Sequence, residues 1–198
     1  MFHVCNRGVL KRPVFLDEFD YHICEEILAE SAEKYGVPLY AYCLMPNHWH
    51  LLVEAPTGNT LIKMLQRFSS VHARTVRRKQ GNQGIGAVYQ SRYRAHAVQK
   101  SVSFLKVQNY IEQNPVKAGL CSSPKDWRWS SASTKEGRID LKKPNLPILL
   151  TNTEPQEESW HIQIESALFG QRPLGDPEWR KTCQEFPISN PTFGLIAA

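Results

Sequence analysis

Residues 37–54 read VPLYAYCLMPNHWHLLVE, two apolar runs on either side of the turn residues Met45-Pro46-Asn47. Runs rich in tyrosine, leucine and valine around a short turn predict a β-hairpin. Successive side chains of a strand point to opposite faces, so His48 and His50 share one face of the predicted sheet while Trp49 lies on the other. The hairpin therefore predicts a sheet with a pair of imidazoles on one of its faces.

Apolar residues at strand or helix spacing predict the remaining elements. Predicted strands occupy 2–7, 37–44, 48–54 and 87–98, and predicted helices occupy 17–35, 60–79 and 101–114. Gly36 is a typical helix stop, and Pro115 is expected to end or kink the last of these helices at Asn114. The order βαββαβ followed by a helix predicts an α+β, ferredoxin-like fold, which is an antiparallel sheet with two helices on one face.

Composition excludes several classes of protein. With 41% hydrophobic residues, the chain can bury a core without disulfide or metal support. No apolar run approaches the length of a membrane span, and the N-terminal segment lacks the apolar core of a signal peptide. Five scattered cysteines form no Cys-x-x-Cys pair, which is typical of thiols in a reducing compartment. We therefore expect a cytoplasmic protein.

The sequence changes character at about residue 138. Prolines then recur and acidic residues outnumber basic ones, so we expect a domain at 1–138 and a partly irregular, acidic extension at 139–198 with one short helix near 157–169. Two roles are open for the extension. It packs over the basic surface and restrains activity, or it covers a sheet edge.

Positive charge is concentrated in the first part of the chain. Residues 1–150 carry nine excess positive charges and residues 151–198 four excess negative ones, which gives the net charge of +5. No acidic residue occurs between Glu54 and Glu112, which indicates a track for a polyanion such as nucleic acid rather than a chance run on a basic domain. The candidate DNA contacts are Arg74, Arg77, Arg78, Lys79, Arg92 and Arg94, with Phe68, Tyr89 and Tyr93 as candidate stacking platforms.

A second chemical pattern lies in the last predicted helix. Tyr110 and Asn114 are four residues apart, so both can face the sheet that carries His48 and His50. Each part of the pattern has an ordinary interpretation when taken alone. Tyr110 is then a core tyrosine, Asn114 is a residue at a helix end, and the two histidines are ordinary polar residues. The combination is hard to explain by packing.

Three segments carry a resemblance to a known family. Residues 40–54, residues 110–120 (YIEQNPVKAGL) and Trp127-Arg128-Trp129-Ser130-Ser131 resemble the REP-associated tyrosine transposases, with a further match at Arg172-Pro173-Leu174-Gly175. That branch belongs to the single-tyrosine HUH transposases. Members of this family share a His-hydrophobic-His motif, one catalytic tyrosine and a ferredoxin-like fold. This chain has Trp49 where the family usually has valine.

The resemblance implies a role for each matching residue. Tyr110, on a C-terminal catalytic helix, is the implied nucleophile, and His48, His50 and Asn114 are the implied ligands of Mg²⁺ or Mn²⁺. The implied activity is cleavage and rejoining of single-stranded DNA at REP-like hairpins through a 5′-phosphotyrosine, which is a DNA transposition reaction in the bacterial cytoplasm, at the nucleoid. The expected partner is single-stranded or hairpin DNA, with no membrane and no small-molecule substrate, and the protein is expected to be a monomer or a homodimer.

Two other classes of function are compatible with parts of the pattern. A domesticated relative would bind hairpin DNA or RNA without cutting it. A metal hydrolase would use His48 and His50 to activate water, and it would survive loss of Tyr110, whereas a tyrosine transposase would not.

Overall fold

The structure is a computed structural model that describes residues 1–81, 86–133, 139–142, 157–170 and 172–183. Its main elements are β1 (Phe2–Arg7), α1 (Glu18–Tyr35), β2 (Leu39–Met45), β3 (His48–Val53), α2 (Gly58–Lys79), β4 (Arg94–Ala97), α3 (Val102–Lys117), α4 (Glu157–Gly170) and α5 (Pro177–Thr182). The strands form one antiparallel sheet in the order β2-β3-β1-β4. This is the ferredoxin-like arrangement, so the predicted α+β fold is confirmed.

Local sequence signals define the ends of the two long helices. α1 begins where the Asp17 side chain accepts a hydrogen bond from the Asp20 amide, and it ends at Gly36, whose φ of 59° is accessible to glycine at little cost. The Thr57 side chain caps α2 in the same way, by accepting from the Thr60 amide. With these caps, α1 begins after β1 and α2 begins after β3, so each helix packs back against the sheet.

α1 and α2 pack together against one face of the sheet, as the sequence predicts. Their apolar side chains, including Leu28 and Phe68, form a buried cluster with Val4, Trp49 and Leu51. The Trp49 indole is fully buried and donates a hydrogen bond from Nε1 to the Tyr89 hydroxyl at 2.9 Å. The larger indole is thus accommodated inside the core, on the face opposite the histidines.

α3 and α4 pack against the other face of the sheet. Phe104, Val107 and Ile111 of α3 form a second buried cluster with side chains of β2 and β3, and Ile164 of α4 joins it. The predicted helix near 157–169 is therefore confirmed, and it lies on the same side of the sheet as α3.

The predicted end of the third helix at Asn114 is wrong, because α3 continues through Pro115 to Lys117. Proline has no amide hydrogen to donate to Ile111, but the Asn114 side-chain nitrogen approaches the Ile111 carbonyl at 3.5 Å. The chain then reverses at Gly119, whose φ is 68°. The helix stop is this glycine, one turn beyond the proline.

The fourth strand is shorter than the predicted 87–98. Only Arg94–Ala97 pairs continuously with β1, and the preceding segment makes a single bridge between Tyr89 and Gly8. Part of the extension covers the outer edge of β4: the Leu174 amide donates to the Ala97 carbonyl, and the Gln99 amide donates to the Leu174 carbonyl. The edge-covering role expected for the extension is thus seen at this point.

Two features of the sequence prediction lie partly outside the described residues. The predicted loop 80–86 includes residues 82–85, and the predicted domain boundary adjoins residues 134–138, neither of which the structure describes. The boundary at 138/139 stays a prediction. Within the described ranges, no helix is both long and apolar enough to cross a membrane.

Replacing Trp49 with valine is expected to destabilise the fold by about 3 kcal/mol, because it leaves a cavity and removes the donor to Tyr89. Urea unfolding monitored by circular dichroism measures the change. Phe19→Val is the matched control, because this aromatic ring is 62% exposed and its loss is expected to cost less than about 1 kcal/mol. Equal losses for the two variants would contradict the assignment of Trp49 to the core.

Candidate active site

The register of the sheet determines which side chains share the face beneath α3. His50 of β3 is paired with Cys5 of β1, and the rings of His48 and His50 are 5.1 Å apart. From α3, Tyr110 packs edge-on against His50, with ring centroids separated by 5.7 Å. The structure therefore brings together the predicted nucleophile and both predicted histidine ligands from separate elements of one chain.

These residues line a cleft of about 280 Å³ between the sheet, α3 and α4. Asn114 also lines it, so all four residues predicted for the chemistry meet in one place. The same cleft is lined by cationic residues from β1, β4, α3 and the loop before β4, namely Arg7, Arg94, Lys117 and Arg92. A cleft with nitrogen and oxygen ligands on its floor and positive charge around it is suited to a phosphate group.

One ring nitrogen of each candidate ligand is already engaged by a neighbouring side chain. His50 Nδ1 is 3.0 Å from Nε2 of the fully buried His3, and His48 Nδ1 is 2.6 Å from Oδ1 of Asn47. The atoms left for a metal ion are therefore the two Nε2 atoms. Engagement of the second ring nitrogen is typical of metal-binding histidines.

Burial keeps both imidazoles neutral. It lowers the pKa of His48 to about 4, with a smaller contribution from the positive charge of Arg7, and it lowers the pKa of His50 well below its usual value. A neutral imidazole retains the lone pair that a metal ion needs. Both histidines are therefore in the ligand-competent form at pH 7.

Asn114 provides the third candidate ligand. Its side-chain nitrogen donates to the Tyr110 carbonyl at 2.7 Å, which leaves the amide oxygen as the atom that a cation would take. No group of three or more His, Cys, Asp or Glu side chains within the described ranges is arranged to hold a metal ion, so the candidate set rests on this amide. Two imidazoles and one amide oxygen fit a hexacoordinate divalent cation that keeps positions open for phosphate oxygens.

Tyr110 is covered by α4 from the extension. The side chain is 6% exposed, the ring of His161 lies 5.2 Å from it, and Glu165 lines the same cleft. Burial raises the pKa of Tyr110 above its usual value, and the negative charge of Glu165 adds to this shift. The phenol therefore holds its proton at pH 7, and a carboxylate lies beside it.

The six predicted DNA contacts separate into two groups. Arg92 and Arg94 line the cleft, and Arg94 also donates from Nη1 to the Phe169 carbonyl of α4 at 3.1 Å. The other four are Arg74, Arg77, Arg78 and Lys79, which lie at the end of α2 on the opposite side of the sheet. Because α2 packs through its apolar side against α1 and the core, the structure does not bring these four to the cleft, and their DNA contacts stay a prediction.

Two of the predicted stacking platforms are wrong. Phe68 is fully buried between α2 and the sheet. Tyr89 is 9% exposed, and its hydroxyl is hydrogen-bonded to both Trp49 and His72. Neither ring is available to a base, because each fills the core instead. Tyr93 is half-buried against the same core cluster.

Several residues of the site carry no local sequence signal. Glu165 and His161 come from the extension, and nothing near them indicates that α4 returns to Tyr110. His3 and Arg7 alternate with core residues of β1, but their position beside the histidines depends on strand pairing. Lys117 lies beyond Pro115, where the sequence predicts no helix. His3 and Arg7 could have been assigned to the site if the sequence had shown that β1 pairs with β3.

An antiparallel ferredoxin-like sheet with a His-x-His strand beneath a tyrosine helix is the arrangement that the sequence motifs predict for the class of single-tyrosine transposases. Comparison with known families agrees with this class. The family described as "Transposase IS200 like" matches residues 1–114, which is more than half of the chain. The chain belongs to the IS200-like transposase family.

Individual relatives carry related names. A REP-associated tyrosine transposase of Haemophilus influenzae is 26% identical over 110 residues, which cover 52% of this chain and 62% of that protein. The chain therefore matches less than two thirds of the curated relative. A solved REP-associated tyrosine transposase bound to a REP hairpin aligns with a TM-score of 0.50 at 19% identity, covering 65% of this chain and 73% of that one. This likeness supports the fold.

Acid is expected to destabilise the protein through its buried histidines, of which His72 lies outside the cleft. Burial lowers the pKa of His72 to about 4, against about 6.5 in an unfolded chain. Between pH ~4 and ~6.5 the unfolded chain binds more protons than the folded chain. The stability that neutral His72 gives the folded state is therefore complete above pH ~6.5 and is lost as pH falls toward ~4. His72→Gln is expected to reduce this acid sensitivity by up to about 3 kcal/mol.

Urea unfolding at a series of pH values measures this effect. Gln66→Asn, at an exposed position of the same helix α2, is the matched control and is expected to follow the wild-type profile. A His72→Gln profile that coincides with the wild type would show that His72 titrates in the same range in the folded and unfolded states.

Proposed function

We propose that the protein is a metal-dependent single-stranded DNA endonuclease and strand transferase that acts at hairpin sequences through a 5′-phosphotyrosine at Tyr110. The proposal rests chiefly on one contact, the edge-on packing of the Tyr110 ring against His50 inside a cleft lined by arginine and lysine. Family membership supports the reaction class. The hairpin is proposed as substrate because the structural neighbour is described as bound to one.

The side chains of this chain supply the attacking atom and a base. The Tyr110 oxygen attacks the phosphorus, the P–O3′ bond breaks, and the leaving 3′ oxygen takes a proton from a water molecule, whose hydroxide is neutralised by the proton removed from the phenol. The phenolic proton passes to the carboxylate beside it, Glu165. Reversal of the same step by a 3′-hydroxyl of another strand rejoins DNA without an external energy source.

A divalent cation such as Mg²⁺ or Mn²⁺, bound by His48, His50 and Asn114, would polarise the scissile phosphate. The protein residues orient the substrate around that position. Arg7 and Lys117 come from the ends of β1 and α3 and lie in the cleft, so they can hold the non-bridging phosphate oxygens. Arg92 and Arg94 extend the positive charge along the cleft toward the DNA backbone.

One observation favours a second function, hairpin binding without cleavage. Tyr110 is almost fully buried beneath α4, and its phenol is held protonated. A chain in which α4 never leaves this position would present basic residues to DNA and keep its nucleophile covered. The two functions differ in whether a covalent product forms.

The decisive assay incubates the protein with Mg²⁺ or Mn²⁺ and end-labelled hairpin oligonucleotides that carry single-stranded flanks from repeats near its own gene. We expect a protein–DNA adduct that survives denaturing electrophoresis with the wild type, and none with Tyr110→Phe. Tyr35→Phe is the matched control, because this tyrosine lies at the end of α1 on the other side of the sheet. It is expected to form the adduct normally.

Two results would contradict the proposal. Binding without an adduct, for both metals and several hairpins, would favour the non-catalytic function. Cleavage that persists in Tyr110→Phe would mean that water is the nucleophile, as in a metal hydrolase.

Arg92→Gln is expected to weaken hairpin binding and to lower the slope of log affinity against log salt concentration by about one unit, because one phosphate contact is lost. Fluorescence anisotropy across a salt series measures the slope. The control is Lys34→Gln in the last turn of α1, which is expected to leave the slope unchanged. Equal slopes for Arg92→Gln and the wild type would show that Arg92 does not contact the DNA backbone.

A further inference from the structure

Asn47, in the turn between β2 and β3, bridges two parts of the molecule. Its side-chain nitrogen donates to the Lys11 carbonyl at 3.0 Å, and its Oδ1 lies 2.6 Å from Nδ1 of His48. The amide therefore connects the segment that follows β1 to one of the candidate metal ligands.

The chemistry of these atoms determines where the protons lie. The Lys11 carbonyl can only accept, so the nitrogen of the Asn47 amide must face it and the oxygen must face His48. The amide oxygen also can only accept, so His48 Nδ1 must carry the ring proton. In the neutral imidazole, the lone pair is then on Nε2.

The Lys11 carbonyl reaches Asn47 because the segment Gly8–Arg12 has an unusual backbone. Leu10 and Lys11 have φ values of 53° and 59°, in the left-handed region that costs a non-glycine residue about 1–2 kcal/mol. A Cβ on Gly8 would lie 2.3 Å from the Arg12 carbonyl oxygen, so the close turn requires glycine there.

Main-chain hydrogen bonds hold this strained segment against the hairpin turn. The Gly8 amide donates to the Asn47 carbonyl at 2.8 Å, and the Val14 amide donates to the Pro46 carbonyl at 2.8 Å. Backbone strain persists only where the surroundings enforce it, and it occurs often at functional sites. Here the strained backbone positions the Lys11 carbonyl, which orients the Asn47 amide.

We propose that Asn47 is a positioning residue that holds His48 with Nδ1 protonated and Nε2 free, and so prepares His48 to bind a divalent cation in the cleft. The metal-binding part rests on the proposed function. The brace from Lys11 makes the basic segment Gly8–Arg12 part of the support of this ligand. Support of this kind typically changes metal affinity by 10- to 100-fold when removed.

The first test uses the metal-free protein. Long-range ¹H–¹⁵N NMR correlations distinguish Nδ1–H from Nε2–H histidines, and the His48 signals are assigned by their loss in His48→Gln. We expect Nδ1–H for His48 in the wild type and a shift toward Nε2–H in Asn47→Ala. Asn47→Asp retains an oxygen acceptor, so the Nδ1–H signature is expected to survive. Asn59→Ala, an exposed asparagine of α2, is the matched control.

The second test measures Mn²⁺ affinity by electron paramagnetic resonance without DNA. Asn47→Ala is expected to weaken binding by about 10- to 100-fold, whereas Asn59→Ala leaves it unchanged. A purely structural role for Asn47 would lower the unfolding temperature without moving the His48 tautomer. That result, or an Nε2–H His48 in the wild type, would overturn the proposal.

Failure of the proposed function gives a different result. A wild type that binds Mn²⁺ but forms no DNA adduct contradicts cleavage and leaves the assignment of Asn47 standing. A wild type with Nδ1–H at His48 that binds no Mn²⁺ contradicts metal binding at this site, and the proposal with it.

Discussion

Burial of the Trp49 indole between the sheet and the two helices α1 and α2 is the constraint on which the site depends. Because side chains alternate along β3, fixing Trp49 in the core directs His48 and His50 to the other face. A slip of one residue would exchange these faces, and it would bury two imidazoles among aliphatic side chains. The hydrogen bond from Trp49 to Tyr89 adds a directional contact that such a slip would lose.

The face beneath α3 buries far more polar chemistry than a stable core requires. His3, His50 and His96 are almost completely buried there, and Tyr110 packs against two of these rings. Burying an imidazole costs free energy unless it finds a partner, and the His3–His50 hydrogen bond offsets part of that cost. A sequence selected for stability alone would place aliphatic side chains here, so this face indicates function.

The two halves of the chain contribute differently to the cleft. The sheet and α3 supply the candidate ligands and the nucleophile, while α4 supplies the carboxylate and the cover over Tyr110. Arg94 links them, because it lies in β4, donates to the Phe169 carbonyl and packs on the Phe169 ring. Any substrate that reaches Tyr110 must therefore compete with contacts that the extension makes.

Local patterns predict the fold and the centre of the site. Alternation in β3 places His48 and His50, and the four-residue spacing in α3 places Tyr110 and Asn114 beside them. Features that depend on distant packing were missed. The end of α3 is determined by Gly119 rather than Pro115, and the length of β4 by its pairing with β1.

The wrong predictions of stacking surfaces have the same physical origin, and so does the division of the basic residues between the two sides of the sheet. A run of basic residues in sequence carries no information about which side of the sheet α2 covers, so the charge pattern groups Arg74 with Arg92 although the sheet separates them. Aromatic identity likewise does not distinguish a stacking surface from a core residue, as Tyr89 shows. Glu165 has no local signal, because its position follows from how the extension returns across the sheet.

Mass spectrometry of the covalent product tests the central claim most directly, which is that Tyr110 is the nucleophile of the cleft. The protein–DNA adduct is digested with nuclease and trypsin, and the peptide that retains a nucleotide is sequenced. The account predicts a phosphodiester-linked nucleotide remnant on peptide 107–117, attached at Tyr110. A remnant on another residue, or cleaved DNA with no modified peptide, would contradict it.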